Sequence, residues 1–388
     1  MIYFILFTFF AAYFGAHWLV YCFFVCVLDC RKDIHKYILR ISLILLASSF
    51  FFAFTISHYW DNILTRIFYT VSGLWLGLLL NLTLFIVAFS LLRFIFILSK
   101  IEFNKKVYSR IFLALAIVYT FYGIINVFLI DTKNVTVKID NLPTAWQGKK
   151  IVQISDVHLG RVLGANFMNM VASKVNKAEP DLIVITGDLF DATDGHLDRF
   201  TDSLNSLQAQ KGIYYVTGNH EIYLGPIEVE KALAKTKINF MNDEIVTIDG
   251  LQLIGINYPG FGEKKDISSI IKNNKNFSLE NPSILLFHSP SSILSNGGNN
   301  HSDVYLNPDT DFKGARDLGV DLQLSGHTHR GQLFPFNLIT QIIFKGYDYG
   351  LHELGNFSIY TTSGTGVWGP TMRTSGRSEI VVITLEKR

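Results

Sequence analysis

The sequence predicts an α/β domain with mixed β-sheets over residues 131–388, preceded by an all-α membrane domain of four transmembrane helices over residues 1–130. Three observations predict it. The first third is a series of long apolar runs, the rest alternates short β-rich runs with helical stretches, and metal-ligating residue types stand directly after several of those runs. The 388 residues are 49% hydrophobic and only 17% charged, with a mean hydropathy of +0.29. That is too apolar for one soluble body. A net charge of +2 points to neither nucleic acid nor an acidic partner. The three cysteines, Cys22, Cys26 and Cys30, all lie in the first apolar stretch. The polar remainder therefore has neither disulfides nor thiolate metal sites, and cysteine usage does not identify a redox compartment.

Apolar runs at 2–28, 37–57, 68–92 and 111–130 are each close to or beyond the roughly 20 residues that cross a bilayer. A cleaved signal peptide would be one shorter run followed by small residues. A soluble bundle would show polar faces, which these runs lack. Tyr13, Trp18, Tyr59 and Trp60 sit where interfacial anchors or lipid-facing bulk are expected. No charged pair inside the runs marks a transport path, so they read as an anchor.

The cations set the expected orientation. Arg31, Lys32, Lys36 and Arg40 occupy the first connection, and Arg93, Lys100, Lys105, Lys106 and Arg110 the third. The second holds only Arg66, and the N-terminus has no lysine or arginine. An excess of lysine and arginine marks cytoplasmic loops. Both termini, and the domain after Ile130, are then extracytoplasmic in a multi-pass cell-membrane protein.

The domain begins with an edge strand at 135–139 and a strand at 151–155 that ends in Asp156-Val157-His158. A helix at 166–177 leads to the run LIVITGDLF, a buried strand stopping at Thr186-Gly187-Asp188. A helix near 197–208 precedes a strand at 213–216 ending in Thr217-Gly218-Asn219-His220-Glu221. Further on come a helix near 227–235, short strands at 238–241, 245–248 and 251–254, and a strand at 283–287 ending in His288. The last of the series, at 321–324, ends in Ser325-Gly326-His327-Thr328-His329. Strands alternating with helices, then hairpins, give a layered α/β sheet of mixed strand direction.

Asp156 and His158, Asp188, Asn219, His288, His327 and His329 thus all follow strands. Any one alone is an ordinary loop residue. Five strand ends delivering oxygen or imidazole together predict a pair of metal ions with Asp188 between them. Imidazole, carboxylate and amide ligands favour Mn, Fe or Zn over Ca or Mg. Two such ions about 3.5–4 Å apart would acidify a shared water and clamp phosphoryl oxygens. His327 and His329 would point toward different ions if their turn is extended.

These motifs closely resemble the calcineurin-like metallophosphoesterase superfamily: Asp156-x-His158, Gly187-Asp188, Gly218-Asn219-His220-Glu221, His288 and Gly326-His327-Thr328-His329, complete and in family order. Gly364-Thr365-Gly366 and Arg377-Ser378-Glu379-Ile380 resemble its membrane-attached branch. The resemblance implies a four-layer α/β/β/α domain and a phosphoesterase. One ion would take Asp156, His158, Asp188 and His329, and the other Asp188, Asn219, His288 and His327. His220, with Asp188 the implied catalytic pair, would stabilise the transition state or protonate the leaving oxygen; the plainer role is orienting Asn219. Glu221 and Asp191 read as supporting or loop acids. Arg161 and Arg330 are candidate phosphate contacts or solvated surface arginines. Many family members have glycine in place of Arg330, a departure that narrows the mouth or adds a contact.

Two stretches are placed to shape specificity. The polar insert 289–312 is a candidate flap. The run LFPFNLITQIIF at 333–344, with Lys345 to snorkel, is either a surface for membrane or acyl chain, or interior packing. A body tied near the bilayer suits a lipid-linked phosphorylated substrate. The family includes enzymes that cleave the pyrophosphate of a UDP-linked lipid A precursor, although that UDP-2,3-diacylglucosamine-type substrate belongs on the cytoplasmic side, against the charge pattern. A phosphodiesterase or nuclease on soluble substrates is the second enzymatic alternative, but no basic stripe with interleaved aromatics supports nucleic acid. A non-catalytic receptor or scaffold would show degenerate ligand positions, and none is missing here.

Overall fold

The computed structural model describes residues 2–27, 32–192, 195–260, 263, 265–292 and 307–388. Cys30, Arg31 and residues 293–306 of the expected flap lie outside them. The chain divides into two compact units, Met1–Ile125 with Gly369–Thr374, and Asn126–Trp368 with Ser375–Arg388.

The first unit is built from α1 (Ile2–Val27), α2 (Asp33–Tyr59), α3 (Ile63–Leu98) and α4 (Lys105–Phe128), most of which belongs to it. All four are long and apolar enough to span a membrane. The second and third run beyond the apolar runs at both ends and the fourth at its start, where flanking residues continue the same helices. Asn62 caps α3 by accepting from Leu64 and Thr65 N–H, while Thr65 Oγ1 accepts from Asn62 N–H. Hydroxyls within the apolar helices bond back to their own turns, Thr83 to Leu79 O and Ser90 to Ile86 O. Between helices, buried Asn81 donates to Thr120 Oγ1 at 2.9 Å, and Tyr13 to Ala47 O at 2.7 Å. Tyr13 is therefore partly packed between helices, whereas Trp18, Tyr59 and Trp60 stay exposed. The segment Gly369–Thr374 completes this unit. Met372 fits so closely against Gly77 that a Cβ there would lie 2.3 Å from its sulfur.

The second unit has two six-stranded sheets. The first runs β1 (Asp131–Ile139), β12 (Glu379–Lys387), β2 (Lys150–Ile154), β3 (Leu182–Thr186), β4 (Ile213–Val216), β5 (Ile238–Phe240). The second runs β10 (Gly350–Leu354), β11 (Phe357–Thr361), β9 (Leu322–Ser325), β8 (Ser283–Phe287), β7 (Leu251–Ile256), β6 (Glu244–Ile248). The strands β2 to β5 are parallel, as are β7, β8, β9 and β11, while β12 runs antiparallel to β2. Period-two alternation sorts their side chains into layers. Leu182, Val184, Ile284, Leu286, Leu322 and Leu324 fill the space between the sheets. On the outer face of the first sheet, Ile183 and Ile185 meet α5 (Ala165–Lys177) through Met168, Val171 and Val175. On the outer face of the second, Leu285 and Phe287 meet Ile271 of α9 (Ile267–Asn273). The four layers are thus helix, sheet, sheet, helix, the expected fold.

Several elements differ from expectation. The helix near 197–208 is only a 3-10 turn at Leu197–Phe200 and a short helix at Thr201–Asn205. The C-terminal strands β10, β11 and β12 have no counterpart among the expected elements, and β12 lies inside the first sheet. Parallel order brings the ends of β2, β3 and β4 to one edge of the first sheet, and those of β8 and β9 to one edge of the second. Buried Gln153 pins the two together there, its Nε2 donating to Thr186 Oγ1 at 2.9 Å and to Ser325 O at 3.0 Å.

Candidate metal centre

The loops that leave these strand ends hold an unusual backbone. Asp156, His158, Asp188, His327 and His329 all have φ between 48° and 73°. Left-handed geometry costs an L-residue about 1–2 kcal/mol, and such outliers cluster at functional sites. Inter-loop hydrogen bonds hold them. Asp156 N–H donates to Gly187 O, His158 N–H to Asp188 O, and Gly326 N–H to His288 O. Glu221 ties two of the loops from beneath. Its Oε2 accepts from Asp188 N–H and Gly218 N–H at 2.9 and 2.7 Å, and its Oε1 from Phe190 N–H at 2.9 Å.

Two ligand groups result. In one, His329 Nε2 lies 3.2 Å from Asp156 Oδ1 and 2.9 Å from His158 Nε2. In the other, Asn219 Oδ1 is 2.9 Å from His327 Nδ1 and 3.2 Å from His288 Nε2, which is itself 3.2 Å from Asp188 Oδ2. The same Asp188 oxygen lies 3.9 Å from His158 Nε2, so this one carboxylate faces both groups. A third set, His158, Asp191 and His220, overlaps the first. His327 and His329 diverge by a different route from the extended turn expected. Both are left-handed around a right-handed Thr328, and the reversal of the chain sends one imidazole to each group.

The donor set fits divalent cations. His288 Nδ1 donates to Thr186 O at 2.8 Å, which leaves the Nε2 lone pair aimed at the oxygens of Asp188 and Asn219. Lone pairs facing lone pairs in a buried pocket need a positive charge between them. Without one, protons must serve. Burial pulls His288 down, but Asp188 and Asp156 outweigh it and raise its pKa to about 9. Burial and the neighbouring His288 push His327 down to about 3. Asp188 is held well below the usual carboxylate range; burial opposes this, and His288 and His220 prevail. Burial and Asp188 raise Glu221 to about 7.

His220 stands beside the first group, its ring 4.4 Å from that of His158 and its Nδ1 3.7 Å from Asp191 Oδ1. Burial opposes its protonation, but Asp188 and then Asp191 raise its pKa to about 9. Arg161 is buried, three residues beyond His158. Arg330 stacks on Tyr349, its guanidinium carbon 4.3 Å from the ring centroid. The glycines explain how the loops come so close. A Cβ on Gly218 would lie 2.2 Å from Asp188 Oδ1, and one on Gly326 would lie 2.1 Å from Asp156 Oδ2.

Aromatic side chains around the centre were not legible in the sequence. Tyr258 lies 5.9 Å from His288 and 6.1 Å from His327, Phe344 6.2 Å from His327, and half-exposed Trp368 6.2 Å from His220, ring to ring. They come from remote loops and carry no local motif.

A family model described as calcineurin-like phosphoesterase matches residues 149–331. An uncharacterized metallophosphoesterase of Campylobacter jejuni is 34% identical over 263 residues, 66% of this chain and 63% of the relative. One from Bacillus subtilis is 31% identical over 277 residues, 66% of this chain and 86% of the relative. A Danio rerio transmembrane protein with metallophosphoesterase domain is 29% identical over 308 residues, 74% of this chain and 64% of the relative. The chain spans 63% and 59% of the length of the first curated relatives it matches.

Proposed function

The chain belongs to the calcineurin-like metallophosphoesterases, and on that premise we propose that it is a membrane-anchored hydrolase of phosphoester or pyrophosphate bonds acting on a lipid-linked substrate. The observation that carries the hydrolytic reading is Asp188, one carboxylate facing two ligand groups built on five left-handed residues. Asp156, His158 and His329 with Asp188 would hold one cation, and Asn219, His288 and His327 with Asp188 the other. Divalent cations such as Mn, Fe or Zn supply Lewis acidity toward phosphoryl oxygens and acidify water.

The chain's own groups do the rest. His220 would give a proton to the leaving oxygen, with Asp191 Oδ1 3.7 Å from its Nδ1 to hold the ring. Glu221 fixes the loops that carry Asp188 and Asn219. Arg161 and Arg330, which follow the ligand motifs in sequence, would contact the substrate phosphate. The lipid-linked class is supported by the four helices, long and apolar enough to span a membrane, joined to this domain; a UDP-diacylglucosamine-type pyrophosphate would require the opposite, cytoplasmic orientation. The loop cations support an extracytoplasmic position for the domain.

The test uses the purified full chain in detergent. Divalent-dependent hydrolysis of a chromogenic phosphodiester that is abolished in Asp188→Asn supports the reading. Equal turnover by Asp188→Asn, or none under any divalent ion, refutes it. A compartment-sensitive reporter at the C-terminus, active only in the cytoplasm, would refute the orientation.

A further inference from the structure

The stretch 333–344 resolves into buried ends and a bare middle. Leu333 and Phe344 are buried, and between them α11 (Phe336–Ile343) contains no buried residue. Its polarity is inverted. Phe336, Leu338, Ile339 and Ile342 face outward, Leu338 49% and Ile342 77% exposed. Asn337 and Thr340, the polar residues of the opposite side, turn inward and are half-buried. Thr340 Oγ1 donates to Asp348 Oδ2 at 2.9 Å, and Asp348 O accepts from Thr328 Oγ1 between the two loop histidines. A helix on a water-exposed domain buries its apolar arc and shows its polar one. This helix does the reverse.

The surroundings say which medium covers it. Residues 333–347 contain no acid and one cation, Lys345, exposed at the C-terminal end of the helix. That is the pattern of an interfacial helix whose lysine reaches back to the headgroups. The same chain carries four membrane-spanning helices, and it passes from α4 into β1 through Leu129 and Ile130 alone. Val127, at the end of α4, already packs in the core of the second unit with Val152 and Ile183.

We infer that α11 is an interfacial membrane helix, its Phe336, Leu338, Ile339 and Ile342 face immersed in the bilayer that holds α1–α4. Phe344, at the end of the helix, contacts His327. The helix therefore ends against the ligand loop, which would let a lipid-borne phosphate reach the centre from the membrane surface. Immersion itself rests on the chain being a membrane protein and not on hydrolysis, so it survives or fails separately from the proposed activity.

The test places an environment-sensitive dye on Ile342→Cys, and in a second protein on Ile339→Cys, in full-length chain with Cys22, Cys26 and Cys30 changed to alanine. The protein is reconstituted in phosphatidylcholine–phosphatidylglycerol nanodiscs, with Lys231→Cys on the exposed surface of the second unit as reference. A helix immersed about 5–10 Å puts both dyes within reach of lipids nitroxide-labelled high on the acyl chain, giving about twofold or more quenching and blue-shifted emission. The Lys231→Cys dye should keep its emission. Quenching no greater than at Lys231→Cys overturns the inference. So does shielding from both nitroxide lipid and aqueous iodide, which would mean that protein, a second copy or a partner, covers the helix.

Discussion

Replacing Gly326 by alanine tests the geometry of the centre through a single methyl group. The added Cβ would lie 2.1 Å from both Asp156 Oδ2 and Ser155 Oγ, so about 1.3 Å of movement is needed to reach ordinary contact. Asp156 is poorly able to yield. Both its oxygens accept from His327 N–H at 3.0 Å, and Oδ1 lies 3.2 Å from His329. The strain therefore falls on the ligand loop. Overpacking of this kind costs about 1–3 kcal/mol of stability, and a misplacement of about 1 Å costs on the order of 10²-fold in rate. Gly164→Ala is the control, since a Cβ there meets nothing within 4 Å. The assay pairs metal content with turnover of a chromogenic phosphodiester in detergent. Gly326→Ala should lose both while Gly164→Ala keeps both. Wild-type metal content and rate in Gly326→Ala would show that the Asp156 and His327 loops do not form the centre described.

Three further outcomes follow from the same structure. His220→Gln should slow hydrolysis of an alkyl phosphoester by about 10²–10⁴-fold and affect a p-nitrophenyl ester much less, because that leaving group needs no proton; equal losses on both would remove the acid role. Stripping divalent ions with a chelator should lower the thermal midpoint of the second unit. Ligand at a hundred times its Kd contributes about 2.7 kcal/mol, or roughly 5–11 °C for a domain of this size, and an unchanged midpoint would count against bound cations. Away from the centre, burial and then Asp140 raise Asp321 to about 6 while its Oδ2 accepts from Ser283 N–H. A folded-state pKa raised above the unfolded value near 3.9 gives stability that is full below that pH and lost as pH rises through about 6. Relative to Asp321→Asn, the wild type should therefore weaken across that window, and parallel pH–stability curves would contradict it.

The candidate ligand set could be proposed from the sequence because each member is local, a short β-rich run followed at once by Asp, Asn or His. The layered fold was legible for the same reason, since Leu182 to Thr186 and Ser283 to Phe287 are short and wholly apolar apart from their ends. What stayed hidden depends on distance in the chain. The strand β12 looks like a tail, yet it lies between β1 and β2, pairing Asp131 with Glu379 and Gln153 with Val381. Nothing near Glu379 announces partners more than two hundred residues away. Periodicity reveals that α11 has two faces but not which one meets the domain; that is decided by Asp348, which takes Thr340 inward. The turn at His327 departs from the extended geometry that is the default for an alternating pair, since its N–H bonds to Asp156 and its backbone is left-handed. The aromatic surround of Tyr258, Phe344 and Trp368 carries no spacing that a linear reading could use.

The central claim is that Asp188 is shared by two cations, and metal stoichiometry tests it most directly. Elemental analysis of the full-length protein, equilibrated with Mn²⁺ and freed of excess, should give two ions per chain, with Asp188→Asn losing more than one of them. A wild-type chain that retains no ion, or an Asp188→Asn chain that retains both, would contradict the account.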